Sequence, residues 1–282
     1  MLTKVVAVQA RLGERLTLEE KLHIFRERPD FVCLPEYYLL DDTVDDYHRA
    51  ALRRTEFLEY LQRLSDELST CLVAGTIVEA EGEKLYNTSY LIDHGDISGR
   101  YRKRNPVPGE LQKGITPGDE VFVSDVDDVR VGMLICGDVF NMDNYRDMAA
   151  VDADLVFVPT TSALRPDDSW SHKQLRDRKY FQAGAEAAGA FVIKVCGVGR
   201  IFNNPLQGRS LVAAPWGILA RTQIINEQDK RIISITLSID ELREFRAKYR
   251  GFSSEARDRS DGDSEESLEN VPGRHRRRNH TS

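Results

Sequence analysis

Short apolar runs alternate along this chain with longer stretches in which apolar residues recur at helical spacing. The runs have the length and the bounding turn residues of buried strands. They cover residues 5–10, 31–34, 72–78, 88–93, 129–135, 155–159, 191–195, 210–214 and 232–237. Helical spacing predicts helices over 17–28, 44–69, 142–151 and 170–188, and the first opens with a Thr17–Glu20 capping box. This alternation predicts a layered α/β domain.

The apolar segments are spread evenly from residue 5 to residue 237, with no linker between them. We therefore expect a single domain over residues 1–250. Residues 251–282 are rich in Ser, Asp, Glu and Arg and contain few apolar residues. Such a segment cannot bury enough surface to offset the entropy of ordering, so the sequence predicts a polar, disordered C-terminal tail.

Composition and charge narrow the class of protein. The 282-residue chain carries a net charge of −7, which argues against a nucleic-acid partner because such proteins usually need a basic surface. No stretch reaches the roughly 18 apolar residues of a membrane helix, and the N-terminal apolar run is too short for a signal peptide. We therefore expect no membrane partner.

The four cysteines are widely spaced, which fits neither a zinc site nor a dense disulfide framework. Cys33, Cys71 and Cys196 lie inside apolar runs, and we interpret them as core residues. Free thiols favour a reducing compartment, so we expect a cytoplasmic protein.

Three polar residues stand near the ends of predicted strands. Cys136 ends an apolar run, where its sulfur could reach a sheet edge beside free backbone N–H groups. Glu36 follows a short strand and Pro35, a residue that cannot donate to a central ladder. Lys103 lies in a basic run beyond a strand and a turn. Each also has an ordinary explanation, since free cysteine is usually buried and a basic run is usually solvated.

Together, these segments resemble the motifs of the nitrilase superfamily, the carbon–nitrogen hydrolases. The resemblance is carried by Leu34-Pro35-Glu36, Tyr101-Arg102-Lys103 and Ile135-Cys136-Gly137-Asp138. The motifs occur in the family's order, with 67 residues from Glu36 to Lys103 and 33 more to Cys136. The similarity extends from about residue 5 to residue 246. It implies a four-layer α-β-β-α sandwich, a carbon–nitrogen hydrolase domain over residues 1–250, and a homo-oligomer of two or more copies.

The resemblance also implies roles for individual residues. Cys136 would be the nucleophile, and Glu36 the general base that takes its proton and passes it to the leaving amine. Lys103 would favour the thiolate and stabilise the oxyanion, with the N–H of Gly137 as a second oxyanion donor. Glu110 falls where the family often carries a second glutamate that positions the substrate and the lysine.

These roles predict a thiol-dependent hydrolase that cleaves a non-peptide C–N bond of a small amide or carbamoyl compound through an acyl-enzyme on Cys136. No metal or organic cofactor is implied, because covalent thiol chemistry supplies the activation. The alternatives are a nitrile hydrolase or acyltransferase of the same fold, or a non-catalytic binding or assembly protein. Intact Glu36, Lys103 and Cys136 argue against the last of these.

Pocket residues are predicted from their positions near the nucleophile. Thr161 and Ser162 follow a strand that should end close to Cys136, Tyr37 could line the mouth, and Trp170 could form a wall. Family members commonly carry an aromatic residue directly after the nucleophile. The Gly137 found here is expected to open space by the sulfur or to loosen the turn.

Overall fold

A computed structural model of the protein describes residues 1–41, 43–44 and 46–249. The predicted tail over 251–282 lies outside these residues. The chain separates into one unit over Met1–Leu242 and a second over Arg243–Ser282. Of the second unit, the structure describes residues 243–249, which are helical. None of the described helices is long and apolar enough to cross a membrane.

The first unit is built from strands that form two large sheets and one small hairpin. The strands are β1 Leu2–Gln9, β2 Phe31–Cys33, β3 Cys71–Val73, β4 Ile77–Glu81, β5 Lys84–Asp93, β6 Asp96–Arg102, β7 Val123–Val126, β8 Val129–Met133, β9 Leu155–Thr160, β10 Phe191–Cys196, β11 Gly199–Ile201, β12 Asn204–Leu206, β13 Leu211–Ala214, β14 Gly217–Arg221 and β15 Arg231–Ser238. The first sheet has the order β15-β1-β2-β3-β5-β4, with β6 also paired to β5. The second has the order β14-β13-β10-β9-β8-β7, and β11 pairs with β12.

Helices cover the outer faces of both sheets. The α-helices are α1 Leu18–Glu27, α2 Tyr47–Leu52, α3 Arg54–Leu68, α4 Pro108–Gln112, α5 Met142–Ala150, α6 Trp170–Asp177 and α7 Ala183–Ala188. A π-helical segment, Arg178–Gln182, joins α6 to α7, and a short 3₁₀ turn, Cys136–Phe140, follows β8. A further helix begins at residue 239.

The alternation of side chains along the strands creates the layers. In β1, Val5 and Ala7 pack in the cluster between the two sheets, whereas Val6 and Val8 pack in the cluster under α1 and α3. Phe31 and Phe157 meet across the two sheets, with ring centroids 5.7 Å apart. On the far side of the second sheet, α5 and α7 close the core. The expected α-β-β-α sandwich is confirmed.

Each predicted strand overlaps an observed one, but the run over 72–78 is two strands rather than one. Gly75 lies between β3 and β4. Its φ of +63° departs from strand geometry, and glycine adopts this conformation more readily than other residues. A Cβ at this position would also lie 2.2 Å from the carbonyl oxygen of Pro35. The backbone of Gly75 therefore packs directly against the segment that leads into Glu36.

The predicted helix over 44–69 is likewise divided, because the backbone leaves helical geometry at Arg53, between α2 and α3. The Thr17–Glu20 capping box is confirmed, with both reciprocal hydrogen bonds formed. The turn expected before Lys103 is short, since β5 ends at Asp93 and β6 begins at Asp96. Strands β6, β7 and β14 were not predicted from the sequence. Most of their residues are polar or not fully buried, so they do not form an apolar run.

Packing between α5 and α7 depends on Gly184. A Cβ there would lie 2.4 Å from the ring of the fully buried Tyr145. We expect Gly184→Ala to lower the free energy of unfolding by about 1–3 kcal/mol, because overpacking outweighs the gain in helix propensity. Urea denaturation measures the change. Gly109→Ala is the control, because a Cβ at Gly109 meets nothing within 4 Å. Equal stability of wild type and Gly184→Ala would contradict this packing.

Candidate functional site

Lys103 lies between two carboxylates where strands of both sheets end. Its Nζ donates to Glu36 Oε1 at 2.8 Å and to Glu110 Oε2 at 2.6 Å. All three side chains are buried. Glu36 follows β2, Lys103 follows β6, and Glu110 lies in α4, so three separate segments supply one hydrogen-bonded cluster.

Further donors hold the Glu36 carboxylate in place. Its Oε1 also accepts from Asn87 Nδ2 at 2.9 Å. Its Oε2 accepts from the backbone N–H of Thr161 at 2.9 Å and from Thr161 Oγ1 at 2.6 Å. Both oxygens are thus occupied, and the orientation of the carboxylate is fixed from both sheets.

Glu110 is restrained in the same way. Its Oε1 accepts from the Tyr37 hydroxyl at 2.6 Å and from Asn87 at 3.0 Å, and its Oε2 accepts from the backbone N–H of Val107 at 2.8 Å. Burial opposes ionisation, but Lys103 and these donors lower the pKa of Glu110 below its usual value. Glu110 is therefore a fixed anion beside Lys103.

Cys136 lies at the start of the 3₁₀ turn with a φ of +40°. This left-handed conformation is strained for a residue with a Cβ, and such strain often accompanies functional sites. The thiol donates to the carbonyl oxygen of Thr161 at 3.3 Å. Cys136 is half-buried, while Cys33, Cys71 and Cys196 are buried, as expected from their apolar surroundings.

The charges around the sulfur act in opposite directions. Burial raises the pKa of the Cys136 thiol, Glu36 raises it further, and Lys103 only partly lowers it. Lys103 thus acts on the thiolate in the expected direction, but burial and Glu36 outweigh it, and the net shift favours the thiol. Burial alone would lower the pKa of Lys103, but the surrounding groups, led by Glu36, raise it above its ordinary value.

Asp138 ties the turn at Cys136 to the segment that carries Lys103. Its carboxylate accepts from the Tyr101 hydroxyl at 2.8 Å, from the Asn105 N–H at 2.6 Å and from the Ile135 N–H at 2.8 Å. Tyr101 and Asn105 flank Lys103 in the chain, so one buried carboxylate fixes two functional segments. Asp138 is the last residue of the motif Ile135-Cys136-Gly137-Asp138, but no role was predicted for it from the sequence.

Gly137 neither opens space nor loosens the turn. It is buried, and a Cβ there would lie 2.7 Å from the carbonyl oxygen of Asn105 and 2.9 Å from Val107 Cγ1. The segment after Lys103 therefore occupies the place where a side chain would stand. Glycine permits this close approach, which corrects the sequence-based expectation.

A cavity of about 660 Å³ lies beside the cluster and is lined by Glu36, Lys103, Glu110 and Cys136. Of the predicted pocket residues, Tyr37, Thr161 and Ser162 line it. Gly137 is a buried residue of the 3₁₀ turn and is not part of the lining.

Trp170 is not brought to this cavity. Its side chain is 41% exposed, and the guanidinium of Arg221 lies 5.0 Å from its ring centroid. The expectation that it forms a wall is corrected, because α6 turns this residue to the surface.

Three polar residues in or beside the cavity were not predicted from the sequence. Asn87 is buried in β5 and bridges Glu36 and Glu110. Lys194 lies within the otherwise apolar β10, and Arg209 precedes β13. For Lys194, the sequence did carry a signal, namely a charged residue inside an apolar strand. Burying a charge is costly, so such a residue usually has a specific role. In the part of the chain that the structure describes, no group of three or more His, Cys, Asp or Glu residues could hold a metal ion.

A sequence model of the carbon–nitrogen hydrolase family matches residues 7–247. The chain belongs to the carbon–nitrogen hydrolase family. The match confirms the resemblance on which the sequence analysis relied. The hydrolase therefore combines the family's sequence signature with the four-layer sandwich described above.

Relatives of the hydrolase include amidases from a plant and a cyanobacterium. It is 24% identical over 229 residues to N-carbamoylputrescine amidase of Oryza sativa subsp. japonica, covering 75% of this chain and 74% of the relative. It is 26% identical over 212 residues to deaminated glutathione amidase of Synechocystis sp., covering 69% and 75%.

Solved structures share the fold of the hydrolase. A Glu-to-Gln mutant of an amidase from Nesterenkonia sp. AN1, a member of the nitrilase superfamily, was captured with the acetamide moiety of fluoroacetamide covalently added at its active-site cysteine. That structure matches with a TM-score of 0.69 at 20% identity, covering 88% of this chain and 95% of the other.

Alkylation tests the electrostatics of the site. Because burial and Glu36 raise the pKa of Cys136, the rate of its reaction with iodoacetamide should rise about tenfold per pH unit from pH 7 to pH 9. Glu36→Gln removes an anion that raises this pKa, so the thiol should react faster at fixed pH. Peptide mass spectrometry with timed quenching measures both.

Glu79→Gln is the control for alkylation, since Glu79 is a buried carboxylate that does not line the cavity. It should leave the rate unchanged. Equal labelling of Cys136 and the three buried cysteines, or a rate already constant at pH 7, would contradict the described environment.

Proposed function

We propose that this hydrolase cleaves a small carboxamide or carbamoyl compound through a covalent thioester on Cys136. The observation that carries the proposal is that the half-buried sulfur of Cys136 borders the same cavity as Lys103 and Glu36. The names of the plant and cyanobacterial amidases support it, because one specifies a carbamoyl group and both specify amidase chemistry. The covalent adduct of the Nesterenkonia amidase supports a cysteine nucleophile.

Acylation begins when the sulfur attacks the carbonyl carbon of the substrate while the thiol proton passes to Glu36. Because the pKa of Cys136 is raised, the scheme has this proton transfer accompany attack. The carbonyl oxygen becomes an oxyanion, which the Lys103 ammonium and the Gly137 N–H stabilise. Protonated Glu36 then gives its proton to the nitrogen, the C–N bond breaks, and ammonia or an amine leaves.

Deacylation reverses these roles with water as the nucleophile. Glu36 takes a proton from water as its oxygen attacks the thioester carbon, and the oxyanion forms again beside Lys103. The C–S bond breaks, and the proton held by Glu36 returns to the sulfur. The acid product is released and the resting thiol is restored.

Glu110 and Thr161 act as positioning residues in this scheme. Glu110 keeps Lys103 charged and aimed at the site through its 2.6 Å contact. Thr161 links the acid–base group to the nucleophile, because its N–H and hydroxyl hold Glu36 while its carbonyl oxygen receives the thiol. A cytoplasmic location and assembly into a homo-oligomer stay predictions from the sequence.

Cys136→Ala should reduce hydrolysis by about a thousandfold or more, because the covalent route is lost. Ammonia release from a panel of amides, carbamoyl compounds and nitriles measures this change, and quenched-flow mass spectrometry detects the acyl-enzyme. Cys71→Ala is the control, since Cys71 is buried away from the cavity. Full turnover by Cys136→Ala on a substrate of the wild type would overturn the proposal.

Thr161→Val removes the hydroxyl that holds Glu36 but keeps the backbone contacts to Glu36 and to the thiol. We expect kcat to fall about ten- to hundredfold with a smaller change in KM, since a hydrogen bond to a charged group is lost. Thr161→Ser retains the hydroxyl and should restore most of the rate. If Thr161→Val and Thr161→Ser have equal kcat, the hydroxyl does not position the base.

A further inference from the structure

We infer that Lys194 and Arg209 form a second recognition site in the cavity, which binds a carboxylate on the substrate. The inference rests on the proposed function, because it specifies which amides the same site hydrolyses. The preferred substrate class is then the monoamide of a dicarboxylic acid.

The environment of Lys194 is the main observation. The side chain is only 3% exposed, yet it lines the cavity. Its Nζ lies 3.8 Å from Asp177 Oδ1, which is beyond hydrogen-bonding distance, and 4.6 Å from the ring centroid of Phe181. It donates no hydrogen bond to any residue in the described part of the chain. A buried ammonium with three unused donors is costly unless an acceptor enters the cavity.

Arg209 adds a second cation at the same place. Its NH2 group lies 2.7 Å from Asp177 Oδ2 and donates to the carbonyl oxygen of Lys173 at 2.7 Å. Asp177 is also approached by Arg221 at 3.1 Å. One carboxylate thus faces three cations. Glu227 does not restore neutrality, because it lies 3.8 Å from Arg209 and is itself paired with another cation, Lys173.

The lining of the whole cavity shows the same imbalance. Six cationic side chains face three carboxylates there, although the chain carries a net charge of −7. Two of the three carboxylates, Glu36 and Glu110, belong to the cluster around Lys103. Carboxylates just outside the lining offset part of this charge, since Arg176 is paired with Asp168 and Arg209 lies 3.8 Å from Glu227. Lys113, Arg165 and Lys194 still outnumber Asp177, so the remainder of the lining carries excess positive charge. Such a wall attracts an anion and repels an ammonium group.

The arrangement favours a substrate with two different ends. A carboxamide at Cys136 would react, while a carboxylate would accept hydrogen bonds from the Lys194 ammonium and the Arg209 guanidinium. Hydrolysis of such a compound releases ammonia and a dicarboxylate. The reversed orientation would bring a carboxylate to Glu36 and Glu110, where like charge opposes it.

Matched substrates test the inference on the wild-type protein. Succinamate, butanamide and 4-aminobutanamide present an anionic, a neutral and a cationic end behind the same reactive amide. We expect kcat/KM for succinamate to exceed that for butanamide by about ten- to hundredfold, as for a hydrogen bond to a charged group. We expect 4-aminobutanamide to be the poorest of the three. Glutaramate and pentanamide repeat the comparison with one more methylene.

Variants then assign the selectivity to residues. Lys194→Gln should raise KM for succinamate about ten- to hundredfold while leaving butanamide nearly unchanged. Arg221→Gln is the matched control, since it removes another cation beside Asp177 that does not line the cavity. It should keep the preference for succinamate. Thermal unfolding confirms that each variant is folded, and Lys194→Met provides a second substitution of similar length.

The outcomes separate this inference from the proposed function. Equal or better turnover of butanamide or 4-aminobutanamide, or an unchanged preference in both Lys194 variants, overturns the carboxylate site while hydrolysis through Cys136 stands. Absence of turnover and of acylation with every amide tested overturns the proposed function. In that case, calorimetric binding of succinamate to Cys136→Ala, with and without Lys194→Gln, still decides the carboxylate site. Equal binding to both proteins would refute it.

Discussion

The buried ammonium of Lys103 between two carboxylates is the interaction on which the site depends. An isolated charge in this interior would be costly, and Lys103 is tolerated because Glu36 and Glu110 lie 2.8 and 2.6 Å away. Each carboxylate is in turn held by donors from other segments, including Asn87 and Thr161. The neutralisation of the Lys103 charge therefore depends on groups at the ends of strands from both sheets, so the fold itself positions the site.

The same cluster sets the chemistry of the nucleophile. Lys103 is not free to act on the sulfur alone, since its charge is shared with two anions, and burial with Glu36 keeps Cys136 protonated. In the proposed mechanism, reactivity toward an amide then depends on Glu36 taking the proton during attack rather than on a standing thiolate. The strained backbone at Cys136 and the Asp138 contacts keep the sulfur at the cavity edge. In that mechanism, positioning rather than thiolate formation activates the sulfur.

The cavity is electrostatically divided. Around Cys136 one cation faces two anions, while the region of Lys194 and Arg209 holds more cations than carboxylates. The π-helical segment after α6 contributes to this division, because it brings Phe181 against Lys194 just beyond Asp177. Catalytic groups and recognition groups thus come from different elements, so selectivity can change without disturbing the Lys103 cluster.

The amino-acid sequence was enough to predict the layered α/β pattern and the family, and every predicted strand overlaps an observed one. Periodicity and local motifs carry that information, and Glu36, Lys103 and Cys136 could be singled out because they stand at or near strand ends. The three-dimensional fold was needed to show that Gly137 packs against Asn105 and that Trp170 faces outward. It was also needed to show that Asn87 bridges the two glutamates of the cluster and that Lys194 lines the cavity. The reason is physical: a charge or amide in an apolar strand has meaning only through the neighbours that burial gives it, and those neighbours come from distant parts of the chain.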